Sequence, residues 1–126
     1  MHAIDTNVLV RLLVRDDSRQ VKLAEAFVSR GAWVSQLVLA ETAWVLESVY
    51  NRTPRQIAAT VEGLLNHRDL VVQDPEIVSK ALERLRGRPA TEFTDCLILE
   101  NARKSGHLPL GTFDRRFARL EGTTQL

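Results

Sequence analysis

A chain of 126 residues with 44% hydrophobic and 26% charged residues has the make-up of one ordinary globular domain, expected to span 1–126. Its single cysteine, Cys96, excludes an internal disulfide framework and suits a reducing, cytoplasmic compartment. No stretch approaches the ~18 apolar residues of a membrane span. The best run, 37–46, is broken by Glu41 and Thr42, and Asp5 interrupts any apolar leader, so neither a secretory signal nor a membrane role is expected.

The chain opens on Met1-His2-Ala3-Ile4 and runs into Asp5, Thr6 and Asn7 before apolar spacing resumes at Val8, Leu9, Leu12 and Leu13. This predicts a strand ending near Asp5 and a helix from Thr6 or Asn7. Residues 15–18 are a polar break with helix-start residues. Val21, Leu23, Ala24, Ala26, Phe27 and Val28 recur at helical spacing over 19–30, and Gly31 suits the position just past that helix. Ala32-Trp33-Val34 reads as a short buried strand, with Ser35 as N-cap of a helix reaching about Tyr50. Thr53 as N-cap and Pro54 at the first helical position open another, to about Asn66. Leu70-Val71-Val72 is a third strand.

Asp74-Pro75 starts a helix to about Arg86, and 87–90 is a loop. Thr94 begins a helix that Gly106 ends, and 108–112 holds a fourth strand. Residues 114–120 read as a short final helix, and 123–126 as an edge strand or a frayed tail. Short apolar strands alternating with helices predict an α/β fold, a three-layer α/β/α sandwich around a short parallel sheet.

Four acids stand out, each with an ordinary alternative. Asp5 and Asp114 follow strands and precede helices, where a carboxylate can simply cap. Thr6 and Thr112 are competing caps that would free them. Gly111 would let the backbone approach a neighbour or ligand closely. Asp95 lies in the first turn of an apolar helix, favoured there by the macrodipole, with Glu92 three residues earlier. Glu41 has Leu37, Trp44 and Val45 as its i−4, i+3 and i+4 neighbours. A carboxylate on a buried apolar face is costly unless paired or metal-bound, so Glu41 is the most telling of the four.

In a parallel α/β sheet, ligands bind at the carboxyl edge of the strands. Acids gathered there would repel one another unless a cation joined them. Oxygen-only ligands point to Mg²⁺ or Mn²⁺ rather than zinc, for which His2, His67, His107 and Cys96 lack ligand spacing. No Gly-rich phosphate loop or Walker lysine is present, which argues against an NTPase. Net charge is +1, but without those four acids it is +5, and fourteen of the seventeen bases are arginine. That is compatible with a nucleic-acid partner, and equally with a solvated helical surface.

The stretches Asp5-Thr6-Asn7-Val8-Leu9, Leu39-Ala40-Glu41, Phe93-Thr94-Asp95-Cys96-Leu97-Ile98 and Thr112-Phe113-Asp114-Arg115-Arg116-Phe117 resemble, in order, the four acidic motifs of PIN domains. The small VapC-type toxins of toxin–antitoxin pairs are the nearest likeness. The resemblance implies a metal-dependent endoribonuclease that leaves a 5′-phosphate and a 3′-hydroxyl. By motif, Asp5, Glu41, Asp95 and Asp114 would be the catalytic, metal-binding acids. Glu92, where the family often has aspartate, would be a further ligand, directly or through water. Asn7 and Thr112 match polar positions that help arrange such sites.

Arg11, Arg15, Arg115, Arg116 and Arg119 lie nearest the motifs and are candidates to hold RNA phosphates. With few exposed aromatics expected, base stacking should be a minor term. The resemblance further implies a homodimer and a cognate antitoxin whose C-terminal segment covers the acidic cleft, with Val38, Trp44 or Leu46 as candidate apolar contacts. Two other readings remain at this point. One is a non-catalytic RNA- or protein-binding module that keeps the fold. The other is a phosphatase with a nucleophilic aspartate, which would need a second aspartate soon after Asp5.

Overall fold

The computed structural model describes residues 1–87 and 91–126, so the loop expected at 87–90 lies, past Gly87, outside the described residues. The α/β class read from the sequence is the class observed. The chain forms two compact units, Met1–Pro75 and Glu76–Leu126.

In the first unit, three strands, β1 (His2–Ala3), β2 (Ala32–Val34) and β3 (Leu70–Val72), pair in parallel in the order β1-β2-β3. His2 pairs with Ala32, and Ala32 in turn with Leu70. Two helices separate each pair of strands in sequence. They are α1 (Thr6–Val14) and α2 (Ser18–Val28), then α3 (Gln36–Ser48) and α4 (Pro54–Leu65).

The end signals read from the sequence act as expected. Gly31 takes a φ of +95°, the left-handed region a residue past a helix needs. Ser35 accepts the Val38 amide at 3.1 Å. Thr53 and Gln56 form a reciprocal capping box ahead of Pro54. Leu9, Val34, Leu39 and Ala58 are almost wholly buried. Strands β2 and β3 alternate in burial. Ala32, Val34, Leu70 and Val72 point inward, while the register partners Trp33 and Val71 stay partly open.

The second unit holds α5 (Pro75–Arg86, from Glu76 onward), α6 (Phe93–Lys104), β4 (Leu110–Thr112) and β5 (Thr123–Gln125). The segment left open as strand or tail is a strand, parallel to β4, with Leu110 opposite Thr123. These two strands form a sheet of their own. The connection over 113–122 is short for a parallel crossover, which usually takes a dozen or more residues. It closes through a 3-10 turn, Phe117–Arg119, and through Gly122 at a φ of +96°. The helix expected over 114–120 is therefore only that turn, because Leu120 already returns to extended backbone. Phe117 and Leu120 pack with Leu99 as a small core beneath it. Gly111 faces Leu126, but a Cβ there would meet that side chain at 3.4 Å, an ordinary contact, so no close approach requires the glycine.

Candidate active site

In the first unit the acids sit at the carboxyl edge of the parallel sheet and on the helices that leave it. Asp5 is exposed and is itself the N-cap of α1, its Oδ1 accepting the Thr6 amide at 2.7 Å. Thr6 is buried and does not take over the cap as the sequence suggested, since its side chain turns into the packing of α1. One carboxylate oxygen of Asp5 is thus engaged, and Oδ2 has no partner among the described residues. At the same edge, Gln73 Oε1 accepts the Gln36 amide at 2.9 Å and so ties the end of β3 to the start of α3.

Glu41 requires a correction. Its neighbours are apolar as expected, but the face they form is open. Leu37 is 83% and Trp44 62% exposed, and Glu41 is exposed with them. Helix α3 is apolar on most of its circumference, and it buries a different stripe, Leu39, Thr42, Ala43 and Leu46. Burial therefore does not single out Glu41. Leu46 is core rather than candidate contact surface, Val38 is half-buried, and Trp44 is free. Asn7 is exposed and, with Val8, Arg11, Leu23 and Phe27, lines a cavity of about 440 Å³.

Arg11 and Arg15 are committed to helix packing. Arg11 bonds Asp16 at 2.7 Å and Gln20 at 2.6 Å, and Arg15 bonds Glu25 at 2.6 Å. Tyr50, then Asp16, raises the pKa of the Arg11 guanidinium above its ordinary value. To hold a phosphate, either guanidinium would share its donors with a carboxylate already paired to it.

In the second unit Asp95 is half-buried in the first turn of α6, and Glu92 is exposed at its N-cap position without making a side-chain cap. Asp114 is exposed and caps the 3-10 turn. Its Oδ1 accepts the Arg116 amide at 2.8 Å and the Phe117 amide at 3.1 Å, while its own amide donates to Thr112 Oγ1 at 3.0 Å. Thr112 is thus no competing cap. It orients the backbone that carries Asp114. Arg115, Arg116 and Arg119 are exposed and form no ion pair among the described residues.

Sequence reasoning missed Glu100. It is 4% exposed and bonds Arg84 at 3.1 Å and Arg103 at 3.2 Å, and Arg103 also donates to the Glu121 carbonyl at 2.8 Å. The test applied to Glu41 would have found it. Its helix neighbours are Cys96 at i−4, Leu97 at i−3 and Arg103 at i+3, and here the burial is real. Burial, with the Asp95 and Glu100 carboxylates nearby, pushes the Cys96 thiol up to about 12.

Among the described residues, no group of three or more His, Cys, Asp or Glu side chains is gathered closely enough to hold a metal ion. Asp5 and Glu41 lie in the first unit and Glu92, Asp95 and Asp114 in the second. The donors are carboxylate oxygens, exposed on all but the half-buried Asp95, a set that suits a hard, hydrated cation and not zinc.

Residues 3–122 match the family model of the PIN domain, and the chain belongs to that family. A VapC ribonuclease of Aquifex aeolicus (strain VF5) is 27% identical to it over 125 residues, covering 95% of this chain and 92% of that protein. The crystal structure of Mycobacterium tuberculosis VapC20, a sarcin–ricin loop cleaving toxin, aligns over 94% of each chain at 20% identity and a TM-score of 0.45. No helix among the described residues is long and apolar enough to cross a membrane.

Proposed function

We propose that this PIN domain, 1–126 as one functional domain, is a Mg²⁺- or Mn²⁺-dependent endoribonuclease, the toxin of a toxin–antitoxin pair. The observation that carries the reading is the span of the family match. It begins before Asp5, ends after Asp114, and so takes in all four acids in order. The likeness to a VapC ribonuclease along 95% of the chain supports RNA as substrate and a cognate antitoxin as partner.

In this reading Asp5, Glu41, Asp95 and Asp114 would hold the cation, with Glu92 as a further ligand. The two caps are compatible with that role, because Asp5 and Asp114 each engage Oδ1 with backbone amides and leave Oδ2 unpartnered among the described residues. When bound, such a cation polarises the scissile phosphoryl group and lets water attack it near neutral pH. Thr112 fixes the Asp114 backbone, and Asn7 stands two residues after Asp5 to orient the mouth of the site. Arg115, Arg116 and Arg119 hold flanking phosphates, and Arg11 and Arg15, which also bond Gln20 and Glu25 of α2, are further candidates. A homodimer and a cytoplasmic location belong to the same proposal.

The test is cleavage of single-stranded RNA with Mg²⁺ or Mn²⁺, with EDTA, and with Asp95→Asn. Cleavage by the wild type that EDTA and the substitution both abolish is expected. Undiminished cleavage by Asp95→Asn, or in EDTA, overturns the site. Mixing with the small DNA-binding protein expected to be encoded just upstream should suppress cleavage, and a lack of inhibition would remove the toxin assignment alone.

A further inference from the structure

We propose that Phe113 is a stacking platform for one base of single-stranded RNA beside Asp114, an inference that rests on the ribonuclease reading above. Phe113 is 80% exposed, whereas Phe117, four residues on, is 6% exposed in the small core with Leu99 and Leu120. The backbone on either side of Phe113 is pinned. The Asp114 amide donates to Thr112 Oγ1, and Asp114 Oδ1 takes the amides of Arg116 and Phe117. The phenyl ring therefore projects from a held turn, not a loose tail. The expectation of few exposed aromatics is corrected, because Phe27, Trp33, Trp44 and Phe113 are all exposed, and Phe113 falls next to a candidate catalytic acid.

Charge identifies the occupant. Arg115, Arg116 and Arg119 follow within six residues, all exposed and without an ion pair among the described residues. An apolar ring set among unpartnered arginines suits a polyanion that also carries flat apolar faces. A single strand of nucleic acid has both, and a duplex hides its faces in its own stack. Base stacking on an aromatic is tolerant of sequence, so Phe113 would set a demand for an unpaired nucleotide at one position rather than for a particular base.

The test uses steady-state cleavage of single-stranded RNA by the full chain with Mn²⁺. An abasic strand of equal length and charge serves as competitive inhibitor. Phe113→Ala should raise KM by roughly 5- to 150-fold with kcat largely kept, the range that loss of one stacked base implies. Its Ki for the abasic strand should not change. Phe113→Tyr should behave as wild type, and Phe113→Leu should behave as Phe113→Ala. By contrast, Arg116→Gln should weaken both strands alike.

An unchanged KM for Phe113→Ala overturns the stacking role and leaves the nuclease standing. Equal losses on both strands overturn it too, since they mark a change in the phosphate contacts. Full rescue by Phe113→Leu also overturns it, in favour of an apolar contact for a protein partner. A wild type that cleaves no RNA ends the ribonuclease reading, and this inference with it.

Discussion

Asp5 shows how one carboxylate can serve structure and chemistry together. Oδ1 caps α1 and Oδ2 is left over among the described residues, so the two roles separate by substitution. Asn caps as well as Asp, so Asp5→Asn should keep the melting temperature and lose RNA cleavage. Asp5→Ala should lose both, at a cost of about 1 kcal/mol in stability read by denaturant unfolding. Thr42 presents the opposite case. It is 2% exposed, and its Oγ1 has no hydrogen-bond partner among the described residues. Thr42→Val keeps the shape and removes an unsatisfied hydroxyl, so it should stabilise by about 1 kcal/mol. A lower unfolding midpoint would show that the hydroxyl is paired.

Cys96 supplies a pH dependence whose sign is fixed. Its native pKa of about 12 stands above the ordinary 9.0, so the folded chain holds this proton more tightly than the unfolded chain. The contribution is fully present below pH 9 and is lost as pH rises from 9 towards 12. Unfolding free energies measured at about pH 8 and about pH 10 should therefore fall more steeply for the wild type than for Cys96→Ala.

Among the elements of the second unit, Glu100 joins α5 to α6 through Arg84, and through Arg103 it reaches the carbonyl of Glu121 just before β5. Gly122 makes room for this arrangement. A Cβ there would sit 2.9 Å from Arg103 Nη2, at a φ of +96° that side chains rarely adopt. Arg103→Met leaves a buried carboxylate with one cation in place of two. It should cost roughly 3 kcal/mol, the low end for a broken buried pair because Arg84 remains. Thermal unfolding of that variant checks it, and a loss below about 0.5 kcal/mol would mean that Glu100 stays solvated.

At the scale of the whole molecule, the proposed cation is a ligand of the native state that the unfolded chain cannot assemble. Millimolar Mn²⁺ should raise the melting temperature by mass action, by about 2.7 kcal/mol of stability at a hundred times Kd. Asp95→Asn or Asp114→Asn should remove most of the shift. No shift in the wild type would favour a PIN domain that binds RNA or protein without metal.

Local chemistry made much of this legible without coordinates. Ser35, Thr53 with Pro54, and Gly31 mark helix ends through hydrogen bonds and φ preferences that span a few residues, so they act alike in almost any context. Family membership was readable for another reason, because four short motifs stand in the order that PIN domains share, and the family match spans them all. Tertiary packing decided what depends on distant neighbours. It chose which stripe of the apolar helix α3 to bury and so left Glu41 with Leu37 and Trp44 in the open. It buried Glu100 between arginines from two helices, took Arg11 and Arg15 for helix packing, and left Phe113 outside. Burial and pairing are sums over the residues that fold against a position, and no local spacing in the sequence contains that sum.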